Sequence, residues 1–377
     1  MKTYAMGTRA ADRDLGPVAF ERRDPDAGEV AIEITHCGIC HSDLHQARND
    51  WGNTNYPCIP GHEIVGTVTS VGEGVRRFAV GDTVGVGCMV NSCQTCTPCR
   101  EGDEQYCEGP KSATLTYNGT KIPDGSNTYG GYSDGIVVRE EFVLRIPDAI
   151  EPQEAAPILC AGITVYDPMV RHGVGPGKRV GVAGIGGLGH MAIQIAKAMG
   201  AEVVALTRKA DKAEAARALG ADHVIVTEDE DQMAREAMTL DALVDTIPVE
   251  HPLDPYLSLM RPRSTVMLLG NMIGFPAFVP APMVFHRISL AGSLIGGIER
   301  TQEVLDFCAR HGIRSEVEVV GIDDVNAVLH RLEQGDQKFR SVIDMKTLKD
   351  QREAWAAKAE TIPDPERGEP AGRRESA

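Results

Sequence analysis

The sequence predicts an α/β protein built from a small, partly open β-barrel-type domain and a doubly wound parallel sheet. Three observations carry this. The chain has 377 residues, more than the roughly 250–300 at which a single core stops growing. Up to about Glu151-Pro152 it reads as short strands, tight turns and long loops rich in Cys and His. Beyond that point, short apolar strands alternate with amphipathic helices, the pattern of a parallel sheet covered on both faces.

In the first part, Val30-Ala31-Ile32-Glu33-Ile34 alternates apolar and polar residues, and Val65-Gly66-Thr67-Val68, Val80-Gly81-Asp82 and Val84-Gly85-Val86-Gly87 place Val and Gly at strand-and-turn spacing. In the second, Lys178 to Ala183 is an apolar strand leading into Gly184-Ile185-Gly186-Gly187-Leu188-Gly189. A helix from His190 to Met199 follows, with Ala192, Ile195, Ala196 and Met199 on its buried stripe and Gly200 as C-cap. Val203–Leu206, an Ala-rich helix to Leu219, Val224–Val226, Ala242–Val244 and Val266–Leu269 continue the alternation. After about Leu290 the chain is expected to return to the first domain, with a helix at Thr301–Ala309, a strand at Val317–Val320, a helix at Val325–Glu333 and a strand at Ser341–Met345. The expected domains are therefore 1–152 with 292–347, then 153–291, and a charged tail over 348–377, partly disordered at its end.

Composition excludes several classes of function. A net charge of −16 argues against a nucleic-acid partner, whose phosphates need clustered Lys and Arg, and disfavours an anionic membrane surface. Met1 to Ala10 lacks an apolar signal core, and no apolar run is long enough to span a bilayer. Ten cysteines without a secretory signal suit a reducing compartment, so the expected location is cytoplasmic and clustered cysteines read as metal ligands.

Cys93, Cys96, Cys99 and Cys107 form one such cluster, whose spacing fits a closed tetrahedral shell around a structural zinc ion. The rival readings are a redox-active thiol group or a nucleic-acid-binding zinc ribbon, and the acidic balance opposes the latter. A second set is spread over Cys37-Gly38-Ile39-Cys40-His41-Ser42-Asp43-Leu44-His45, Gly61-His62-Glu63 and Cys160. These segments are distant in sequence, so spacing alone does not join them, and a Cys37/Cys40 redox pair is the alternative for the first.

Taken together with Pro60-Gly61-His62-Glu63, Leu159-Cys160-Ala161-Gly162-Ile163-Thr164-Val165-Tyr166, the glycine run and Ile295-Gly296-Gly297, these motifs resemble the zinc-dependent medium-chain alcohol dehydrogenases. Within them the chain is similar to the cinnamyl-alcohol-dehydrogenase-like aldehyde reductases. The resemblance spans about residue 1 to Met345. It implies a GroES-like catalytic domain plus a Rossmann domain, with Cys40, His62 and Cys160 on a catalytic zinc and a second zinc on the four-cysteine lobe. It makes Glu63 a carboxylate near the metal, Asp43 the partner of His62, and Cys37 a packed thiol. Ser42 would pass a proton to His45. His41 and Arg340 would lie near the cofactor pyrophosphate, Arg340 having a surface cation as its alternative reading. Thr164 and Ile295 would lie at the nicotinamide end. Trp51, Cys88, Met283 and Leu294, with Ile295, would line the substrate pocket, each with ordinary core as the rival.

Gly184, Gly186 and Gly189 follow a strand and open a helix, the context in which such a run binds a pyrophosphate. An NAD enzyme places an acid at the end of the next strand to hold the ribose hydroxyl. Here Thr207-Arg208-Lys209 stand instead, with Lys212 close behind, which suits a 2′-phosphate and so NADPH. The alternative is a solvated loop end. The expected activity is zinc-dependent, NADPH-linked reversible reduction of aromatic or medium-chain aliphatic aldehydes by a homodimer joined near Leu290–Ile295. The rivals are an NAD-linked alcohol, polyol or formaldehyde dehydrogenase and a non-enzymatic NADPH sensor.

Overall fold

The computed structural model describes residues 1–109, 112–119, 127–208, 210–272, 274–336 and 339–362. Its contacts divide the chain into two units: Met1–Cys160 with Gly297–Leu305 and the segment from Val317, and Ala161–Gly296 with Asp306–Glu316.

The strand Glu29–Ile39 is the hub of the first unit. It pairs antiparallel with Ile64–Val71, Gly135–Arg139 and Arg340–Asp344 in a seven-stranded sheet. Val30, Ala31, Ile32 and Ile34 are buried while Glu33 is half-exposed, so the alternation read from the sequence holds over Ile32–Ile34 and the strand's start is covered on both faces. Register then does the positioning. Cys37 stands opposite Ile64 on one side and Ile343 on the other, which brings the residues just after Ile39, just before Ile64 and at Arg340 to one end of the sheet.

The second unit holds a six-stranded parallel sheet in the order His223–Val226, Glu202–Thr207, Arg179–Ala183, Leu240–Asp245, Met260–Leu268, Ser289–Gly292. In chain order this is 3-2-1-4-5-6, the doubly wound dinucleotide arrangement with its switch point beside Arg179–Ala183. Val180, Val182, Val204, Leu206, Leu243 and Val266 are buried, the near-continuous apolar reading of strands covered on both faces.

The units differ from the sequence expectation at four places, the first two being residues 153–160, which fall in the first unit, and 292–296, which fall in the second. Residues 306–316 belong to the second unit, where Phe307 packs 5.3 Å from Tyr166 and Gln194 donates to the Arg314 carbonyl. The expected tail at 348–377 is not separate over its first half. Arg352–Lys358 is a helix with Trp355 buried, Ile362 is buried, and Glu360–Thr361 pairs with Gly16–Glu21. Two apolar anchors and the Arg352 guanidinium over the Tyr4 ring hold this segment where a purely charged tail would be solvated. The remainder, 363–377, lies outside the described residues. All ten cysteines are free thiols. Among the described residues no helix is long and apolar enough to cross a membrane.

Candidate metal centres and dinucleotide site

Cys40 follows the last residue of the hub strand and precedes the helix His41–Ala47. His62 and Glu63 sit just before Ile64–Val71, in a loop where Gly61 has φ +104° and a side chain would strike the backbone of Gly131. Cys160 ends the turn Ala156–Leu159. Ligand atoms of Cys40, His62, Glu63 and Cys160 all lie within 4.8 Å of one another, and all four residues are buried. Cys37 is buried outside this group, with its thiol at the Gly38 carbonyl.

Asp43 organises the cluster. Its carboxylate accepts the Cys40 N–H at 2.8 Å, the Gly61 N–H at 2.9 Å and the Tyr132 hydroxyl at 3.1 Å, and lies 3.2 Å from His62 Nδ1. With Nδ1–H donating to Asp43, the Nε2 lone pair is free for the cluster, where Cys160 Sγ is 3.2 Å away. The hydrogen bond between the two thiols, aided by Arg340, pulls Cys40 well below the ordinary thiol range, and the same bond pushes Cys160 up. Burial raises the Glu63 carboxyl to about 7, with Arg340 opposing. Among the described residues neither Glu63 oxygen has a hydrogen-bond partner, and Arg340 Nη1 stands 3.6 Å from one of them. Buried thiol and carboxylate donors here outnumber the one nearby cation, Arg340, and such an excess is what a metal ion relieves, so the donor set fits a metal.

The four-cysteine lobe fits one as well. Its four sulfurs lie within 4.8 Å of one another. Backbone N–H groups of Cys93, Cys96, Glu108 and Gly109 point at sulfurs at 3.3–3.4 Å, donors that stabilise thiolates. Contacts from Thr95 and the Cys96 N–H hold Cys93 down to about 5, while burial pushes Cys99 up to about 12.

In the second unit, Gly184 has φ +87°, a side chain at Gly186 would meet open space, and one at Gly189 would collide with the Gly184 carbonyl oxygen. Gly184 and Gly189 thus have steric reasons to be glycine, and the open space before Gly186 leaves room for a close ligand, which matches phosphate-turn geometry. Ile185 is buried, Gly187 is half-buried, and Leu188 precedes the helix Gly189–Ala198. Thr207 is buried at its strand end, and Arg208 and Lys212 are exposed. Lys209 lies outside the described residues.

The other expected site residues divide between the units. Ser42 Oγ is 3.7 Å from Cys40 Sγ. His45, one helical turn on, bonds Asp50 through Nδ1 at 2.7 Å and packs 5.6 Å from the Trp51 ring. His41 is half-buried beside His45. Arg340 is buried, not a surface cation. Nη1 bonds the Ile39 carbonyl at 3.4 Å, and Nε and Nη2 have no partner among the described residues. Cys88 is half-buried with its thiol at the Leu159 carbonyl. In the second unit Thr164 is buried on the helix Ala161–Arg171, Met283 packs on the core, Leu294 is 45 % exposed, and Ile295 holds φ +41°.

Comparison with known proteins decides the family. The description "Alcohol dehydrogenase GroES-like domain" matches residues 26–148, and "Zinc-binding dehydrogenase" matches 187–310. Aldehyde reductase YahK of Escherichia coli is 48% identical over 93% of this chain and 100% of its own. The chain belongs to the zinc-dependent alcohol dehydrogenases. Within this family it stands with the cinnamyl alcohol dehydrogenases and aldehyde reductases. The solved cinnamyl alcohol dehydrogenase of Sorghum bicolor superposes with TM-score 0.88 at 41% identity, covering 92% of this chain and 98% of that one. The Helicobacter pylori enzyme, solved with NADP(H), gives 0.85 at 38%, covering 92% and 99%. This dehydrogenase is thus an oxidoreductase of alcohols and aldehydes, with a GroES-like domain and a Rossmann domain.

Sequence reasoning missed Tyr132 as a support of Asp43, and Tyr117, whose ring lies 5.4 Å from His62. The available signal was Gly130-Gly131, which marks a close backbone approach: a side chain on either would strike neighbouring residues.

Proposed function

We propose that this dehydrogenase is a zinc-dependent, NADPH-linked aldehyde reductase, acting reversibly on aromatic or medium-chain aliphatic aldehydes and primary alcohols. The observation that carries this reading is the convergence of Cys40, His62 and Cys160 on one buried point, with Glu63 beside them. When bound, the metal polarises a carbonyl oxygen and the reduced nicotinamide supplies hydride. Cys40, His62 and Cys160 are the proposed ligands, and Asp43 keeps His62 in the ligating tautomer. Ser42 hands on a proton, and His45, steadied by Asp50, exchanges it with solvent. Trp51 and Cys88 supply apolar surface to the substrate. The N-terminus of the helix Gly189–Ala198, behind the glycine turn, takes a dinucleotide phosphate. Cys93, Cys96, Cys99 and Cys107 hold a second, structural zinc.

The test is zinc analysis together with an aldehyde panel run with NADPH and with NADH. About two zinc ions per chain and faster turnover with NADPH are expected. A zinc-replete protein inactive across the panel would sink the reading. Arg208 is assigned to the 2′-phosphate, so Arg208→Ala should raise KM for NADPH about tenfold and leave KM for NADH nearly unchanged, the loss of one charge-assisted contact. Equal effects on both cofactors would return Arg208 to the solvated surface.

We further propose a cytoplasmic homodimer. Ten free thiols suit the reducing compartment. Ser289–Gly292 ends the parallel sheet, and Val279, Val284 and Phe285 nearby in sequence are 60–83 % exposed. An unpaired edge with an apolar patch is a template for a second copy. Phe285→Asp should shift the molecular mass in light scattering from dimer to monomer. A wild-type monomer would refute the assignment.

A further inference from the structure

The parallel strand Leu240–Asp245 ends in a buried carboxylate with two different partners. Asp245 Oδ1 accepts the Ile247 N–H at 3.1 Å, and Oδ2 lies 3.0 Å from His251 Nε2. The other ring nitrogen, Nδ1, lies 2.8 Å from the Val249 carbonyl oxygen. The two side chains are only 9 % and 3 % exposed. A carbonyl and a carboxylate both only accept, so both ring contacts are hydrogen bonds only if the ring carries two protons or the carboxyl keeps one. Either way, the closed arrangement holds one proton more than a neutral imidazole beside a carboxylate. Burial raises the Asp245 carboxyl, with His251 opposing, which favours keeping that proton. The groups facing the pair are the Tyr256 ring at 5.8 Å, edge-on, and the Phe275 ring at 5.2 Å, with the Arg208 charge acting on Tyr256.

The segment so closed braces the glycine turn. Thr246 N–H donates to the Ala183 carbonyl at 3.0 Å, and its hydroxyl to the same oxygen at 2.8 Å. A side chain at Gly184 would lie 3.0 Å from Thr246 Oγ1 and 3.3 Å from Ile247. A second line of contacts reaches the other half of the cofactor site. Tyr256 lies within electrostatic reach of Thr227, and Thr227 N–H donates to the Thr207 carbonyl at 2.8 Å.

We propose that His251 is a positioning residue for the dinucleotide. Together with Asp245 it clamps residues 245–251 in the shape that supports both the glycine turn and the Thr207 strand end, so that loss of the shared proton at rising pH weakens NADPH binding. The inference rests on the reading that the glycine turn takes a dinucleotide. It adds a control of affinity by a pair that touches neither the phosphates nor the metal ligands. Deprotonation leaves the ring with a single N–H for two acceptors, the Asp245 carboxylate and the Val249 carbonyl; one bond opens and the loop behind Gly184 loses its fixed shape.

The test is titration of full-length wild type, Asp245→Asn and His251→Gln with NADPH, followed by its fluorescence, at about pH 6 and about pH 9, spanning the range in which imidazoles titrate. An Asn at 245 still accepts from Ile247 and donates to a neutral ring, so its clamp closes at either pH. Wild-type Kd should rise about tenfold more than that of the Asp245→Asn variant over this range, within the usual size of a coupling between sites. His251→Gln should bind about tenfold more weakly at the lower pH and lose the extra pH dependence. The cofactor 2′-phosphate titrates alike in all three proteins, so its slope cancels in the comparison. Parallel pH profiles for wild type and the variants would overturn the clamp while leaving the dinucleotide site intact. Should thermal melts show one variant unfolded, the other decides. No NADPH binding by wild type at either pH would instead bring down the dinucleotide reading itself, and the clamp with it.

Discussion

Replacing Cys40 with serine is expected to abolish turnover and to lower bound zinc from about two ions per chain to about one. A hydroxyl is a poor substitute for a thiolate toward zinc, and in this site it also removes the group that Arg340 and the Cys160 thiol favour in charged form. With the metal gone, the carbonyl loses the Lewis acid that stabilises its developing negative charge, a contribution of several kcal/mol and so at least about a thousandfold in kcat/KM. The folded structure should survive, because the hub strand and its partners are held by backbone pairing and by buried Val30, Ile32 and Ile34, independently of the ion. Metal analysis, aldehyde-dependent NADPH consumption and a thermal melt together check this. Retained turnover with one zinc per chain would show that the four-cysteine lobe, rather than the Cys40 cluster, supports the chemistry.

Cys99→Ser should produce the complementary outcome. The same metal count falls to about one, but the main loss is stability. A lobe of four thiolates has little apolar material of its own: none of the residues in the short helix Thr97–Arg100 is buried. Metal binding is then the lobe's folding energy, and its loss costs several kcal/mol. For a unit of this size that corresponds to a fall in Tm of about 10 °C. NADPH binding should be unchanged, since the glycine turn belongs to the other unit. Calorimetry with metal analysis checks the stability change, and fluorescence titration the binding. An unchanged Tm would make the lobe an ornament rather than a support.

The contrast between these two centres explains what was legible in the sequence. Cys93, Cys96, Cys99 and Cys107 are near neighbours, so their spacing alone marked them as a candidate ligand set, and their sulfurs do lie within 4.8 Å of one another. The glycine run was equally local: Gly184 at positive φ and Gly189 against the Gly184 carbonyl are steric demands that only glycine meets. Strand and helix alternation after Glu151-Pro152 likewise predicted the parallel sheet, because strands covered on both faces must be short and apolar.

Cys40, His62 and Cys160 needed more. Their union depends on strand register, Cys37 standing opposite both Ile64 and Ile343, and register is a tertiary choice that spacing cannot express; the family resemblance supplied it in advance. The same register buries Arg340 beside Glu63, where the sequence left open a surface cation. It was tertiary packing, too, that drew residues 348–362 into the first unit through Trp355 and Ile362, and that joined Asp245 to His251 across a loop with no motif to mark it. By itself, then, the sequence determined every feature whose physics is local: periodicity, turn chemistry and closely spaced ligands. Only the tertiary structure decided which distant polar groups share a buried site, because that outcome is set by backbone pairing and by the cost of leaving a charge alone in the core.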